Sequence, residues 1–253
     1  MLNLKDGTPL GLIEHGKHAG EIIYIDRSDI DEDDYNGCQE INLRKNTLQP
    51  LMNTDEREVS YIAGPSGSGK TTYAVDLAKS YNKIFPKRPI YVFSRTDIKD
   101  DPAFKKLPQA KQVELDESII TEPIDITELE KGSLVIFDDT NTIGDKKIRD
   151  ATNFLICDIL ETGRKMGLWI ILTSHLINQS EKKMNRTIMN EMQSFTFFPK
   201  SGSSYQIKYA LKQYFGLNKK QIDRILGLKS RWVTVLKNYP MTVVYKHGVY
   251  ILD

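Results

Sequence analysis

Eight residues, Gly64 to Thr71, read GPSGSGKT and satisfy the pattern G-x-x-x-x-G-K-[ST] in full. Those residue types suit a polyphosphate cradle. The glycines let the backbone wrap closely with its N–H groups turned inward, and the helix expected to follow adds the positive end of its dipole. Gly64, Pro65, Ser66, Gly67, Ser68, Gly69, Lys70, Thr71 and Thr72 are the expected nucleotide-binding residues. Lys70 would neutralise the β- and γ-phosphates of ATP, and the Thr71 hydroxyl would ligate Mg²⁺. A second stretch, LVIFDD, ends in Asp138 and Asp139. Asp138 is expected in the Mg²⁺ shell, and Asp139 is placed to orient or deprotonate an attacking water. Taken alone, such a pair could equally cap a helix or face solvent. A nucleotide kinase needs the first acid and no water-activating second, so the pair leans towards hydrolysis.

A third stretch, ETGRKMGLWIILTSH, runs from Glu161 to His175. Its apolar run stops at Thr173, Ser174 and His175, where a strand end would meet a ligand. Ser174 or His175 could hydrogen-bond the γ-phosphate or the lytic water and so sense the phosphate. The alternative is that these residues merely cap the next loop. Arg164 starts the turn before this strand, on the order of 15 Å or more from the far end. It cannot easily reach its own nucleotide. A catalytic role would be on a neighbouring subunit, as an arginine finger in a ring or similar oligomer. The alternative is a surface arginine near a helix C-terminus, where a cation is favoured.

The elements that must position these residues follow from the apolar pattern. From Val59 onwards, strands VSYIAG, PIYVFSR, a short one near Val113, SLVIFDD and LWIIL alternate with helical stretches. KTTYAVDLAKSYNK carries an apolar side at Tyr73, Val75, Leu77, Ala78 and Tyr81. DITELEKG reads as a short helix capped by Asp125, and DKKIRDATNFLICDILETG as a helix stopped by Gly163 in the C′ position. Uniformly apolar strands separated by helices imply a mainly parallel sheet covered on both faces. The last part, 194–253, reads as strand SFTFFP, two basic helices and terminal hairpin strands turning near Asn238–Pro240 and His247-Gly248. Residues 1–58 form a small β-rich accessory segment, with strand GEIIYID followed by an exposed acidic run, DRSDIDEDDYNG. The expected organisation is 1–58 accessory and 59–253 ATPase domain.

Charge is distributed unevenly. Residues 1–60 hold 6 Lys/Arg against 13 Asp/Glu, whereas residues 181–253 hold 13 against 4. A basic last third suits an anionic partner, or is simply a lysine-rich solvated surface. The two cysteines, Cys38 and Cys157, and four histidines form no metal-ligand spacing. No secretory leader or membrane-spanning run is legible, so a soluble intracellular chain is expected.

GRKMGLWIILTSH aligns without a gap on Gly-Arg-x-x-Gly-h-x-h-h-h-x-[ST]-Gln (h, apolar) of FtsK/HerA-type DNA-pumping ATPases. With GPSGSGKTT and LVIFDD, the chain resembles the compact genome-packaging ATPases of large double-stranded DNA viruses, the poxvirus-type branch, over residues 59–200. The resemblance implies a RecA-like fold and ATP-driven movement of double-stranded DNA into a capsid. It also implies self-association as a homohexamer or homopentamer, and a place in the virion or host cytoplasm. By it Arg164 is the trans arginine finger. His175 stands where the family has glutamine, so the sensor is Ser174 or His175, and Asp139 stands where many relatives have glutamate. Capsid proteins become possible partners. DNA contacts would come from basic residues such as Lys182, Lys183, Arg186, Lys200, Lys208, Lys212, Lys219, Lys220, Arg224, Lys229 and Arg231. Two rivals use the same loop: a small-molecule kinase, for which FSRTD is the only lid-like feature, and a non-catalytic nucleotide-binding scaffold. An ABC-type ATPase would need an LSGGQ-like signature before FDD, whereas the nearest likeness, SGSSYQ, comes after it.

Overall fold

The structure is a computed structural model and describes residues 1–27, 39–53, 55–178 and 181–252. The acidic run, from Ser28 on, and Cys38 lie outside the described residues. The chain resolves into two compact units, Arg57–Met192 and a second made of Met1–Glu56 with Gln193–Asp253. The N-terminal segment thus shares a unit with the basic helices and terminal strands.

That second unit begins with β1 (Leu2–Asn3), β2 (Thr8–Ile13), β3 (Ile22–Ile25), β4 (Glu40–Asn42) and β5 (Leu48–Pro50). β1, β3, β2 and β5 form an antiparallel sheet in that order, with a register shift in β2 between Pro9 and Gly11.

The central unit runs β6 (Val59–Ala63), α1 (Lys70–Ile84), β7 (Ile90–Ser94), β8 (Lys111–Glu114), α2 (Ser118–Thr121), β9 (Leu134–Phe137), α3 (Lys146–Thr162), β10 (Trp169–Ser174) and α4 (Lys182–Glu191). Its five strands are all parallel, in the order β6-β10-β9-β7-β8. Every residue of β6, β9 and β10 is buried, as strands covered on both faces must be. α1 turns Tyr73, Ala74, Val75, Leu77, Ala78 and Tyr81 inward, matching the apolar side read from sequence. Asp145 caps α3 by accepting from Lys147 N and Ile148 N at 2.8 and 3.0 Å. Those bonds hold its carboxyl below the ordinary range. Asp125 caps a single 3₁₀ turn over Ile126–Glu128, where a short helix was expected.

One detail of the sequence reading is corrected. Gly163 follows α3 with φ −60, in the right-handed region, and opens a 3₁₀ turn, Gly163–Met166. The left-handed residue is Gly167, at φ 62, which ends that turn. The helix tightens before it stops, and the positive φ is displaced by four residues.

The chain then returns to the second unit with β11 (Ser194–Phe197), α5 (Ser204–Phe215), α6 (Lys219–Leu226), β12 (Val233–Leu236), β13 (Thr242–Tyr245) and β14 (Gly248–Ile251). β11, β12, β13, β14 and β4 pair antiparallel in that order. Asn218 and Gln221 close a reciprocal capping box on α6. No helix among the described residues is long and apolar enough to cross a membrane.

Candidate nucleotide site

Sheet register brings three separate stretches of sequence to one edge. β10 lies between β6 and β9, with Ser174 level with Ala63 and Leu172 level with Phe137. The residues that follow those ends are Gly64 of the phosphate loop, His175, and Asp138 with Asp139. Gly64 N donates to Ser174 O at 3.0 Å, and Asp138 N to Phe93 O of β7 at 3.0 Å. Ligands in open α/β sheets meet this carboxyl edge.

The loop has the backbone it needs. Gly67 and Gly69 have φ 73 and 107, conformations that side-chain-bearing residues rarely adopt, and Gly69 is the N-cap of α1. Lys70 is only 5% exposed. Its ammonium lies 3.6 Å from Asp139 Oδ1 and 3.4 Å from Pro65 O. A buried charge without such partners would be costly.

Asp138 is the most perturbed group here. Burial pushes its carboxyl up to about 6, with the charges of Asp139 and Asp101 adding to the rise. A hydrogen bond from Thr173 and the charge of Lys70 oppose it. Thr173 Oγ1 donates to Asp138 Oδ1 at 2.8 Å and accepts from Asp139 N at 2.9 Å, so one hydroxyl fixes both acids. Thr71 Oγ1 faces Asp138 Oδ1 at 3.5 Å. Two hard oxygens, one from a carboxylate under strong desolvation, fit Mg²⁺, which is held by few protein ligands plus substrate phosphates. No group of three or more His, Cys, Asp or Glu that could hold a metal occurs among the described residues.

A stability prediction follows from Asp138. Its folded-state pKa lies above the unfolded one, so the folded state binds the proton more tightly between about pH 4 and 6, and stability falls as pH rises through that window. Asp138→Asn, which keeps an acceptor for Thr173, is expected to stabilise the nucleotide-free protein by about 1–3 kcal/mol at neutral pH. The gain should shrink as pH falls from 6 towards 4. Urea unfolding of both proteins across that range checks it.

Asp139 has φ 47, an uncommon left-handed backbone for a non-glycine residue. Such strain is held only where neighbours enforce it. His175 Nε2 faces Asp139 Oδ2 at 3.0 Å, and His175 N donates to Asn141 Oδ1 at 3.3 Å. Ser174 is buried, and its Oγ accepts from Leu176 N at 3.1 Å, a local turn bond. Beside these groups lies a cleft of about 500 Å³ whose lining includes Thr71, Asp138, Asp139, His175, Arg95, Thr96 and Asp101. Sequence reasoning did not single out Thr173, Asn141 or Asp101 as site residues, and it met Arg95 only within FSRTD, the lid-like feature of the kinase alternative. Their roles depend on which strands are neighbours.

Arg164 is not part of this cluster. It is exposed in the 3₁₀ turn at the opposite end of β10. That turn is braced by Arg57, whose Nε donates to Leu168 O at 2.9 Å and whose Nη2 donates to Leu160 O and Ile159 O at 3.0 and 3.4 Å. The guanidinium therefore closes the last carbonyls of α3 and the entry to β10. Burial pulls the Arg57 pKa down, Glu191 pushes it back, and the charge of Arg164 lowers it further. Arg57→Ala is expected to destabilise the protein by about 1.5–3 kcal/mol, because charge-assisted bonds to buried carbonyls are lost. Chemical denaturation measures this directly.

No family model matches the chain. Protein V3 of Sputnik virophage is 43% identical over 248 residues, which cover 98% of this chain and 97% of that protein. This chain belongs to the V3 family. Among solved structures, the V3-family fold is similar to genome packaging NTPase B204 from Sulfolobus turreted icosahedral virus 2, in complex with sulfate. The TM-score is 0.50 at 11% identity, covering 78% of this chain and 98% of B204. It is also similar to the pCW3 conjugation coupling protein TcpA with ATPγS, at TM-score 0.53 and 12% identity, covering 95% of this chain and 77% of TcpA. EssC (ATPases 2 and 3) from Geobacillus thermodenitrificans gives 0.52 at 13%, covering 98% of this chain and 44% of EssC. The fold of this V3-family chain is that of P-loop ATPases, with antiparallel strands in addition to the parallel sheet.

Proposed function

We propose that this protein is an ATP-driven DNA translocase that packages a viral double-stranded DNA genome into its capsid. The observation that carries the reading is the meeting of Lys70, Thr71, Asp138, Thr173, Asp139 and His175 at one sheet edge, with Arg164 at the other. Genome packaging NTPase B204 and conjugation coupling protein TcpA, which share the fold, lend support through what their names describe.

Gly64 to Thr72 wrap the phosphates of ATP, and the Lys70 ammonium moves from Asp139 to the β- and γ-phosphates. Thr71 and Asp138 would hold Mg²⁺, which would neutralise charge on the phosphates. Asp139, released from Lys70, takes the proton of the attacking water or orients it. His175, beside Asp139, reports on the γ-phosphate, with Ser174 as the alternative sensor. Arg164 completes the site of the next subunit in a homohexameric or homopentameric ring. The basic residues of the last third meet DNA phosphates. The protein works in the virion or the host cytoplasm, with capsid proteins as possible partners.

The test is steady-state ATP hydrolysis at low salt, with and without linear duplex DNA, over a range of protein concentration. A slow rate that rises steeply with concentration and is accelerated by DNA is expected. Arg95 in the cleft favours one other reading, phosphoryl transfer to a small acceptor. Phosphate appearing on such an acceptor, with no effect of DNA or concentration, would replace the motor reading.

A further inference from the structure

Helix α5 presents a surface that folding alone does not explain. Ile207, Ala210, Leu211 and Phe215 are buried. The other side shows Tyr205, Lys208, Tyr209 and Lys212, all exposed, the two rings 76% and 43%. These positions are spaced i, i+3, i+4 and i+7, so they form one stripe, on the order of 10 Å long. Lys208 and Lys212 are like charges four residues apart, an arrangement that weakens a helix. No carboxylate in the surrounding sequence offsets them. Between Met192 and Ile222 the chain has five lysines and not one Asp or Glu.

Cations alone would suit any polyanion. The two tyrosines narrow the choice. A tyrosine offers a flat apolar face with a polar tip; Tyr205 stands in water, and Tyr209, edge-on to Tyr214 with ring centroids 6.2 Å apart, still leaves much of its ring exposed beside the lysines. A DNA duplex shows its phosphates to lysines but keeps its base faces stacked inside. A single strand offers both, since its bases can lie on aromatic rings while the backbone tracks along the cations.

We infer that the Tyr205–Lys208–Tyr209–Lys212 stripe is a binding surface for single-stranded DNA, with bases on the rings and phosphates on the lysines. The inference deepens the DNA-handling reading above and rests on it only for the biological setting. Binding to the stripe needs neither ATP nor hydrolysis. The stripe would hold an unpaired end or a locally opened strand.

The experiment uses the full-length protein without nucleotide and a fluorescently labelled oligothymidylate, followed by anisotropy over a salt series. A duplex of equal length serves as comparison. The single strand should bind tighter than the duplex. Tyr205→Ala and Tyr209→Ala should each weaken it at least about fivefold, whereas Tyr205→Phe and Tyr209→Phe, which keep the ring, should not. Lys208→Ala or Lys212→Ala should make the plot of log affinity against log salt shallower by about 0.7. Both tyrosines are exposed, so these variants keep their fold, which thermal unfolding verifies. The inference is overturned by no binding of the oligonucleotide, by equal affinity for the duplex, or by alanine variants that bind like the wild type. Phenylalanine variants as weak as alanine would also overturn it. So would alanine variants that change only sedimentation, since the stripe would then be a contact between copies of the chain. Loss of ATPase activity elsewhere leaves this test untouched, so the two readings fail separately.

Discussion

Arg164→Ala should lower kcat for ATP hydrolysis by about 10³- to 10⁵-fold while ATP still binds, the range over which arginine fingers act. The geometry makes the loss informative. Arg164 is exposed at the amino end of β10, and the phosphate loop and carboxylates lie at its carboxyl end, about 16–20 Å of strand away. A residue so placed has no route to the nucleotide of its own chain. Mixing tests this directly. Arg164→Ala keeps an intact phosphate site, and Asp139→Asn keeps an intact Arg164. Each is expected to be inactive alone, and the mixture should regain a fraction of the activity at interfaces that combine the two good halves. If Arg164→Ala hydrolyses ATP normally, or the mixture stays dead while co-assembly is demonstrated, Arg164 is a surface residue serving the C-terminus of α3.

Asp139→Asn should lower the hydrolytic step by about 10²- to 10⁴-fold, the contribution of a positioned acid or base. Nucleotide affinity should hold or improve, since Lys70 no longer spends its charge on Asp139, 3.6 Å away. Single-turnover hydrolysis and equilibrium binding of a fluorescent ATP analogue separate the two effects. His175 sits 3.0 Å from the same carboxylate and offers the competing assignment. Should Asp139→Asn hydrolyse ATP at the wild-type rate while His175→Ala does not, proton transfer belongs to the imidazole.

What could be read from the sequence divides along a physical line. The backbone of the glycine-rich loop was legible because its requirements are local. Close backbone approach needs glycine, and the values at Gly67 and Gly69 meet that need. The carboxylate strand was legible for the same reason, an apolar run ending in two acids. Thr173 was passed over for Ser174 and His175. Its importance arises only when β10 inserts between β6 and β9 and brings its hydroxyl to Asp138, a pairing that no local pattern encodes. Gly163 does end α3, as read, but the left-handed conformation usual for a glycine after a helix is not there. The chain instead tightens through four more residues to Gly167. β2 escaped notice because Pro9, Gly11 and the register shift between them break the alternation that marks a strand. α4 was hidden in a polar stretch, its buried side carried by Met184, Thr187, Ile188 and Met189.

The six residues of β10 carry a further consequence. The strand is hydrogen-bonded along both sides and buried on both faces, so it cannot stretch, and it cannot slip without breaking two ladders at once. Its front end is clamped by Arg57 through Leu168, and its rear end is tied to Gly64 of the glycine-rich loop through Ser174 and to both acids through Thr173. A push at one tip must therefore arrive at the other as displacement rather than be absorbed as slack. In the proposed ring, the grip of one subunit on its neighbour and the chemistry in its own site would be two ends of the same rod. The order in which subunits fire would then be set by mechanics, with no separate messenger between sites.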